Sequence, residues 1–408
     1  MRRYRAALIG CGWWGKNLLR EAIASGRIKV VGLCDVDAHG REVAAEQVND
    51  LNGDQPKTYN DYRELLAKEQ LEIVLIATPD HWHALQTIAA VKAGAHVLVE
   101  KPTGHCVQES AAMLRAARAS GRIVQAGLHR RVGPHHVSAM KFLKSGAIGE
   151  VGMVRLFAHG GGGREQPARN SEPPEGMDWN LWCGPASLRP FNQKLHPGGW
   201  RNFLDYGNGQ LGDWGVHWLD QVLWWTDEKY PKRVFSSAGR PVAGPAILNE
   251  REQTSDTPDH QVAVYDFETF TCVWEHRRFA ENHAEKHRIG AYFYGAKGTL
   301  HIGWRDGWTF YPADGGPTRH EDAQLQEPDG HNLKLLWANF IAAIEDGAPA
   351  QAGIEIAHRA SVLPLLGMIS WRTGRSLQWD GAKEEIVGDP EAARLLSHPY
   401  RAPWVNPS

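Results

Sequence analysis

Short apolar, β-branched runs alternate with longer amphipathic stretches over the first third of the chain. This alternation is typical of a parallel sheet whose strands are joined by crossover helices. The apolar runs predict strands at Ala6–Ile9, Val30–Cys34, Ile73–Ala77, His96–Glu100 and Ile123–Ala126. The stretches between them predict helices at Asn17–Ser25, Tyr62–Lys68, Ala84–Ala93 and Glu109–Ala119. The pattern therefore predicts an α/β domain over residues 1–126.

The pattern changes after Gly127 to a helix, a long irregular stretch, a second helix and several strands in series. Gly160–Gly199 is rich in glycine and proline, and long loops of this kind are often functional. Gln210–Thr226 carries apolar residues at helical spacing. Antiparallel strands are expected at Gln261–Phe267, Phe270–His276, Gly290–Tyr294 and Thr299–Trp304, and helices at Asn332–Glu345 and Glu355–Trp371. These elements predict a second domain over residues 127–408.

Composition narrows the class of protein. The chain has 408 residues, which is too many for one compact core. Of these residues, 42% are hydrophobic and 23% are charged, and this composition excludes a disordered or collagen-like chain. The net charge of -2 argues against nucleic acid or an anionic membrane surface as the main partner. We read no signal peptide after Met1-Arg2-Arg3 and no apolar run of membrane-spanning length.

The cysteines indicate a reducing compartment. There are five of them, widely spaced and without a Cys-x-x-Cys pair, so neither a disulfide framework nor a cysteine zinc site is expected. The neighbouring histidines His81 with His83 and His135 with His136 lack the spacing of a metal motif. We therefore expect a cytoplasmic protein without a metal site.

A glycine-rich turn follows the first predicted strand. The run Gly10-Cys11-Gly12-Trp13-Trp14-Gly15 has the spacing G-x-G-x-x-G, and Asp35 ends the second strand 20 residues beyond Gly15. Glycines at these positions let a pyrophosphate approach the backbone at a helix N-terminus. A carboxylate at the position of Asp35 binds ribose hydroxyls and repels a 2′-phosphate. The turn therefore predicts a dinucleotide site that prefers NAD to NADP.

Two further segments fall where predicted strands end. Thr78-Pro79 begins a run that reaches His83, and Glu100-Lys101 follows the fourth strand. Open α/β sheets bind their ligands at this edge. A lysine beside a dinucleotide can donate to a substrate oxygen and stabilise a developing alkoxide. The alternative interpretation is that Lys101 is a solvated residue of the protein surface.

The predicted helix Gln210–Thr226 carries a candidate general base. Asp213 and His217 stand four residues apart, so they share one helix face and could form a carboxylate–imidazole pair. That pair would orient the ring and favour a basic histidine. A histidine buried in the core is the alternative interpretation.

Tryptophans in the irregular stretch are suited to sugar faces. Trp179, Trp182 and Trp200 lie among polar residues, and indole packs against the axial C–H groups of a sugar ring. Ordinary packing anchors are an equally good interpretation of any one of them. We expect these tryptophans, with Arg130, in the substrate site.

The chain as a whole resembles the Gfo/Idh/MocA oxidoreductase family. The matching features are the glycine turn with Asp35, Thr78 to His83, Glu100-Lys101-Pro102, the run Gly-Asp-Trp-Gly-Val-His that holds Asp213 and His217, Gly295-Ala296-Lys297-Gly298-Thr299-Leu300, and the C-terminal stretch from Arg394 to Trp404. The last of these resembles a bacterial branch of the family. Together their order and spacing are hard to obtain by chance.

The resemblance implies a Rossmann domain followed by an α/β domain built on a large, mostly antiparallel sheet, whose open face would form a homodimer or homotetramer. It implies that Lys101, Asp213 and His217 match the catalytic lysine, aspartate and histidine and also contact a carbohydrate substrate. The expected contacts to NAD are Gly10, Gly12, Trp13, Trp14, Gly15, Asp35, Thr78, Pro79, His83, Glu100 and Lys101.

The sequence leaves three functions open. The first is an NAD-dependent oxidoreductase that moves a hydride between nicotinamide and a hydroxyl of a sugar, polyol or glycoside. The second is an NAD-dependent glycosidase that oxidises a sugar transiently, for which Tyr206 or Tyr294 would supply an extra base. The third is a silent NAD or sugar sensor, against which the presence of Lys101, Asp213 and His217 argues.

Overall fold

The computed structural model describes residues 2–282, 284–324 and 328–407. The first unit is a six-stranded parallel sheet in the order β3-β2-β1-β4-β5-β6. Its strands are β1 (Tyr4–Ile9), β2 (Ile28–Cys34), β3 (Lys57–Tyr59), β4 (Ile73–Ile76), β5 (His96–Val99) and β6 (Val124–Ala126). Its helices are α1 (Trp13–Ala24), α2 (Ala38–Asn52), α3 (Tyr62–Lys68), α4 (Asp80–Lys92) and α5 (Val107–Ser120).

This strand order is that of a Rossmann fold, as expected. The order reverses between β1 and β4, which creates the crevice where such sheets bind dinucleotides. All predicted strands and helices of this unit are present, and β3 and α2 are additional. The sequence pattern missed α2 because only Ala44 and Val48 along it are buried, which is too little for an apolar stripe.

The second unit is a ten-stranded sheet in the order β16-β15-β14-β13-β7-β12-β11-β9-β17-β18. Its strands are β7 (Val151–His159), β9 (Arg233–Gly239), β11 (His260–Asp266), β12 (Thr271–Arg277), β13 (Ile289–Gly295), β14 (Gly298–Gly303), β15 (Trp308–Pro312), β16 (Arg319–Glu321), β17 (Leu377–Asp380) and β18 (Glu385–Val387). A separate two-stranded ladder joins β8 (Ala168–Arg169) to β10 (Glu252–Gln253).

The expected, mostly antiparallel character of the large sheet is confirmed. Among the described strands of this sheet, only β7 and β12 pair in parallel, and every other neighbouring pair is antiparallel. The predicted turn is a tight hairpin in which Gly295 pairs with Gly298. The central strand β7 was not predicted, because its last residues are buried consecutively instead of alternating between core and solvent.

Helices cover one face of the large sheet. The helices of this part of the chain are α6 (Pro134–Lys144), α7 (Trp179–Cys183), α8 (Val216–Trp225), α9 (Pro328–Glu345), α10 (Ile354–Thr373) and α11 (Pro390–Arg394). Trp218 of α8 and Leu363 of α10 share a buried cluster with Trp274 of β12. Leu336 and Phe340 of α9 instead join the core of the first sheet, so the chain returns to that sheet after the second unit. The division at residues 126 and 127 stays a prediction.

The predicted helix Gln210–Thr226 consists of two parts. A π-helical turn over Leu211–Gly215 leads directly into α8. This turn carries Asp213, and α8 carries His217, so both side chains are held by backbone that packs on the second sheet. Within the described residues, no helix has both the length and the apolar character to cross a bilayer.

Candidate active site

A cavity of about 700 Å³ opens where β4 and β5 end. The first unit contributes Trp13, Trp14, Thr78, Asp80, Glu100 and Lys101, and the second contributes Trp200, Arg201, Asp213, Trp214, His217 and Trp304. We call it the catalytic cavity. A second cavity lies against the glycine turn, and both share walls at Trp13, Trp14, Thr78, Trp200 and Arg201. We call this second space the dinucleotide groove.

The glycine turn has the close backbone packing that the motif requires. Gly10 has φ +95°, and a Cβ atom there would lie 2.7 Å from the carbonyl carbon of Ala77. A Cβ atom on Gly15 would lie 2.0 Å from the carbonyl oxygen of Gly10. A Cβ atom on Gly12 would meet nothing within 4 Å, although Gly12 lines the dinucleotide groove. The first and third glycines therefore close the turn, whereas Gly12 keeps space free for a ligand.

Asp35 ends β2 beside this turn and lines the groove. One carboxylate oxygen accepts a hydrogen bond from the Cys11 amide at 2.6 Å, and the other accepts one from the Asp37 amide at 3.0 Å. Burial raises the pKa of Asp35, an effect that these two amides oppose. The space at Gly12 and the fixed carboxylate at Asp35 fit the pyrophosphate and the ribose of NAD.

Lys101 and Asp213 form the charged centre of the catalytic cavity. The Lys101 ammonium donates to the Asp213 carboxylate and, at 2.9 Å, to the Asp213 backbone carbonyl. Arg201 Nε donates to the same carboxylate oxygen at 3.3 Å. Burial alone would raise the pKa of Asp213, but the Lys101 and Arg201 cations bring it below its ordinary value. The carboxylate is therefore ionised and holds the lysine in place.

The predicted pairing of Asp213 with His217 is wrong. Within the described residues, Asp213 pairs with Lys101 and Arg201, and the buried Nδ1 atom of His217 has no hydrogen-bond partner. Two cations brought in by the tertiary fold bind the carboxylate more strongly than a neutral imidazole does. The sequence spacing shows that Asp213 and His217 share a helix face, but it cannot show these competitors.

His217 nevertheless faces the catalytic cavity. Its ring lies 5.3 Å from that of His129 and 5.2 Å from that of Trp304, measured between centroids. Burial lowers the pKa of His217 well below its ordinary value, and the nearby Lys101 cation lowers it further. The imidazole is therefore neutral at neutral pH, which is the form that accepts a proton.

Sequence reasoning missed residues that the fold brings to this cavity. Arg201 bridges the two cavities, and its guanidinium lies 4.3 Å from the centre of the Trp200 ring. Trp304 comes from the loop after β14 and contacts His217. Asp80 lies within the run Thr78 to His83, for which the sequence alone indicates no role at this position. Its position directly after Pro79, at the end of a strand, was the available signal.

Of the residues predicted for the substrate site, Trp179 and Arg130 lie away from the cavity walls. Trp179 stacks on Trp182 with ring centroids 4.4 Å apart, and its indole N–H donates to the Arg189 carbonyl at 2.7 Å. Of the three predicted tryptophans, Trp182 lines the dinucleotide groove and Trp200 lines both cavities. The central guanidinium carbon of Arg130 lies 3.4 Å from the centre of the Trp304 ring, and Arg130 lines neither cavity.

His83 and the two tyrosines also lie elsewhere. The ring nitrogens of His83 contact the carbonyl oxygens of Pro102 at 2.7 Å and Thr78 at 2.8 Å, so this residue ties the strand ends together. The buried hydroxyl of Tyr206 donates to the Ser187 carbonyl at 2.7 Å. Tyr206 and Tyr294 line neither cavity, so the structure does not support either as an extra base. Pro79 and Glu100 do line cavities, as expected.

Comparison with known families matches most of the chain. A family model described as an oxidoreductase family with an NAD-binding Rossmann fold matches residues 4–128. A second model, described as the C-terminal alpha/beta domain of an oxidoreductase family, matches residues 156–241 and 324–406. The expected NAD cofactor is thus the cofactor of the matched family.

Relatives of known name match smaller parts. Inositol 2-dehydrogenase of Salmonella typhimurium is 33% identical over 152 residues, which are 37% of this chain and 44% of that protein. A glycosyl hydrolase family 109 protein of Parabacteroides distasonis is 25% identical over 218 residues, which are 51% of this chain and 45% of that protein. The matches therefore span less than half of either relative.

A solved structure shares the fold over more of the chain than these relatives do. The crystal structure of aldose-aldose oxidoreductase from Caulobacter crescentus superposes with a TM-score of 0.67 at 19% identity, covering 92% of this chain and 100% of that one. Both family models, the strand order and the glycine turn agree with one another. The chain belongs to the Gfo/Idh/MocA family of oxidoreductases.

Proposed function

We propose that the protein is an NAD-dependent oxidoreductase that transfers a hydride between nicotinamide and a hydroxyl group of a sugar, polyol or glycoside. The observation that carries this proposal is the meeting of Lys101, Asp213 and His217 in one cavity, next to a groove built for a dinucleotide. These three residues come from two units that are far apart in sequence. Their meeting at the strand ends is typical of a catalytic site.

The neutral His217 imidazole takes the hydroxyl proton, because burial and the Lys101 charge keep it unprotonated. Lys101 donates to the same substrate oxygen and stabilises its developing negative charge. Asp213, supported by Arg201, holds the lysine in position. When bound, NAD would supply the acceptor for the hydride that leaves the carbon. Gly10, Gly12, Trp13, Trp14, Asp35, Thr78 and Pro79 would hold it, since they line the groove.

The walls of the catalytic cavity support a carbohydrate substrate. Trp200, Trp214 and Trp304 offer indole surfaces, and charged groups stand between them. Sugars present apolar C–H faces and hydroxyl groups together, so they match such a mixed wall. The resemblance to inositol 2-dehydrogenase, whose named substrate is a polyol, points in the same direction.

The test is a panel of free sugars, polyols, uronates and glycosides, assayed with NAD for NADH formation and for release of the aglycone. Net NADH from a sugar or polyol is the expected result. Release of an aglycone without net NADH would instead favour the glycosidase alternative, because that route returns its hydride. The family 109 relative is the reason to keep this second readout.

The remaining proposals concern the cellular location and the oligomeric state of the protein. We propose that it acts in the cytoplasm, since all five cysteines are buried free thiols. We propose a homodimer or homotetramer formed through the open face of the large sheet, where Phe235 and Val262 are exposed. Nucleic acid is not among the proposed partners.

A further inference from the structure

A third cavity, of about 410 Å³, lies apart from the catalytic cavity and the dinucleotide groove. In the part of the chain that the structure describes, it shares no lining residue with either of them. Its walls come from the start of α5, the irregular segment, α10 and the C-terminal stretch that begins at Arg394. We call it the arginine cavity, because Arg372 and Arg394 line it. Its volume is in the range of small-molecule sites, about 300–1,000 Å³.

The two arginines bring uncompensated positive charge to this cavity. Arg372 stands in the last turn of α10 and Arg394 in the last turn of α11, where the helix dipole favours a cation. Among the described residues, neither guanidinium group forms a hydrogen bond or an ion pair. Arg375, just beyond the end of α10, is by contrast neutralised by Asp389 and Glu391. Arg372 and Arg394 therefore keep their N–H groups available for a ligand.

His398 adds a third positive group to the walls. Burial alone would lower the pKa of His398, but the hydrogen bond that its Nε2 donates to Glu109 at 2.9 Å raises it above the ordinary value. The carboxylates nearby are already engaged. Glu109 also accepts a hydrogen bond from the Tyr400 hydroxyl at 2.6 Å, and Asp205 pairs with Arg189. The cavity therefore attracts an anion.

The rest of the wall is largely apolar. Leu365, Met368 and Ile369 of α10 line the cavity, are 3–4% exposed and belong to the buried cluster under the large sheet. The hydroxyl groups of Ser187 and Ser397 lie among the lining groups as further polar partners. Small-molecule sites typically combine an apolar wall with a few polar groups that fix the orientation of the ligand. The walls thus match a molecule with one anionic group and an apolar body.

We infer that the arginine cavity is a second ligand site, which takes a small organic anion with one carboxylate or phosphate group on an apolar body. Guanidinium groups bind the oxygens of both kinds of anion through charge-assisted hydrogen bonds. The side chains of α10 cover the apolar body of the ligand. The site contains none of Lys101, Asp213 and His217, so the inference does not depend on the proposed oxidation.

The test is a calorimetric titration of the full chain with four probes, with NAD at saturation so that the glycine turn is occupied. Phenyl phosphate and phenylacetate carry the two kinds of anionic group, 2-phenylethanol is the neutral analogue, and inorganic phosphate lacks the apolar body. We expect one site per chain for at least one of the two organic anions. The tighter one identifies the anionic group. A hydrogen bond to a charged group corresponds to about tenfold or more in affinity, so 2-phenylethanol should bind at least about tenfold more weakly.

Variants locate the site. The double variant Arg372→Gln with Arg394→Gln should lower the affinity for the organic anion by about 100-fold or more, because it removes two charged donors. The matched control is Arg115→Gln, since Arg115 is an exposed arginine of α5 that lines none of the three cavities. It should keep the affinity within about twofold, and so should Lys101→Met in the catalytic cavity.

An affinity that the double variant keeps would overturn the inference. A loss of binding in Lys101→Met would overturn it too, because the anion would then lie in the catalytic cavity. Equal binding of 2-phenylethanol, or binding of neither organic anion at millimolar concentration, would exclude this class of ligand. Thermal melting shows whether each variant is folded. An unfolded double variant is replaced by Arg394→Gln alone, for which a loss of about tenfold is expected.

Discussion

Lys101 is the single residue on which the proposed oxidation depends most. Replacing it with methionine keeps the length of the side chain and removes the donor to the reacting oxygen. We expect Lys101→Met to lower turnover by about 100-fold or more, because one preorganised donor is worth that much in a site of this kind. The measurement is the steady-state rate of NADH formation, with NAD affinity from calorimetry.

The control for this variant is Lys68→Met, since Lys68 lies on α3 and pairs with the exposed Glu64. It should keep turnover within about twofold, in line with the small effects of surface ion pairs. Turnover by Lys101→Met within about threefold of the wild type would remove the lysine from the mechanism.

The pH profile of the oxidation tests His217. Because burial and Lys101 lower its pKa well below the ordinary value of about 6.5, the imidazole is neutral at and above that pH. The rate attributed to this base should therefore be flat from about pH 6.5 upwards and fall only in more acidic buffer. His217→Asn should lose about 100-fold or more in turnover and lose the acidic limb. A wild-type profile whose rising limb lies above pH 6.5 would contradict this account.

Asp35 tests the choice of cofactor. Its carboxylate lines the dinucleotide groove and is fixed by the amides of Cys11 and Asp37. A 2′-phosphate placed there would meet like charge, so we expect NAD to bind at least about tenfold more tightly than NADP. Isothermal titration with both dinucleotides measures the difference. Equal affinities would show that the carboxylate does not contact the ribose.

These residues also show what the sequence can predict about a site. Gly10, Gly12 and Asp35 were found because their spacing follows from local chain geometry at a strand end. Arg201 was not found, because only the tertiary fold brings it to Asp213. For the same reason the sequence paired Asp213 with its helical neighbour His217, whereas the structure pairs it with two cations.

The turn between β1 and α1 makes a prediction about an element. A Cβ atom on Gly12 would enter open space, whereas one on Gly15 would lie 2.0 Å from the Gly10 carbonyl oxygen. We therefore expect Gly12→Val to fold with a melting temperature close to that of the wild type and to lose about tenfold or more in NAD affinity, because its side chain fills the cofactor's space. Gly15→Val should lower the melting temperature itself.

The two substitutions separate cofactor binding from folding. Calorimetric titration with NAD and thermal melting are measured on both variants. A Gly12→Val chain that binds NAD as the wild type does would show that the open space is not the cofactor site. At the scale of elements, sequence patterns located five of the six strands of the first sheet and missed β3. They also missed β7 and α2, because the burial of these elements does not follow a regular period.

At the scale of the whole molecule, the proposed function depends on the meeting of two units. The first sheet supplies the dinucleotide groove and Lys101, and the segment packed on the second sheet supplies Asp213 and His217. Neither unit alone holds both the dinucleotide groove and all three of Lys101, Asp213 and His217. The sequence predicted both units from their motifs, and in the structure the proposed catalytic residues Lys101, Asp213 and His217 line one cavity.

The central claim is that this shared cavity passes a hydride from a carbohydrate hydroxyl to NAD. The most direct measurement is single-turnover absorbance at the wavelength of NADH, with enzyme in excess over NAD and with each member of the sugar and polyol panel. We predict that at least one member gives a burst of NADH with the wild-type chain, and that His217→Asn, which still binds NAD, forms NADH more slowly by about 100-fold or more. A His217→Asn burst as fast as that of the wild type would contradict the claim, and so would a wild-type chain that binds NAD but forms no NADH with any member.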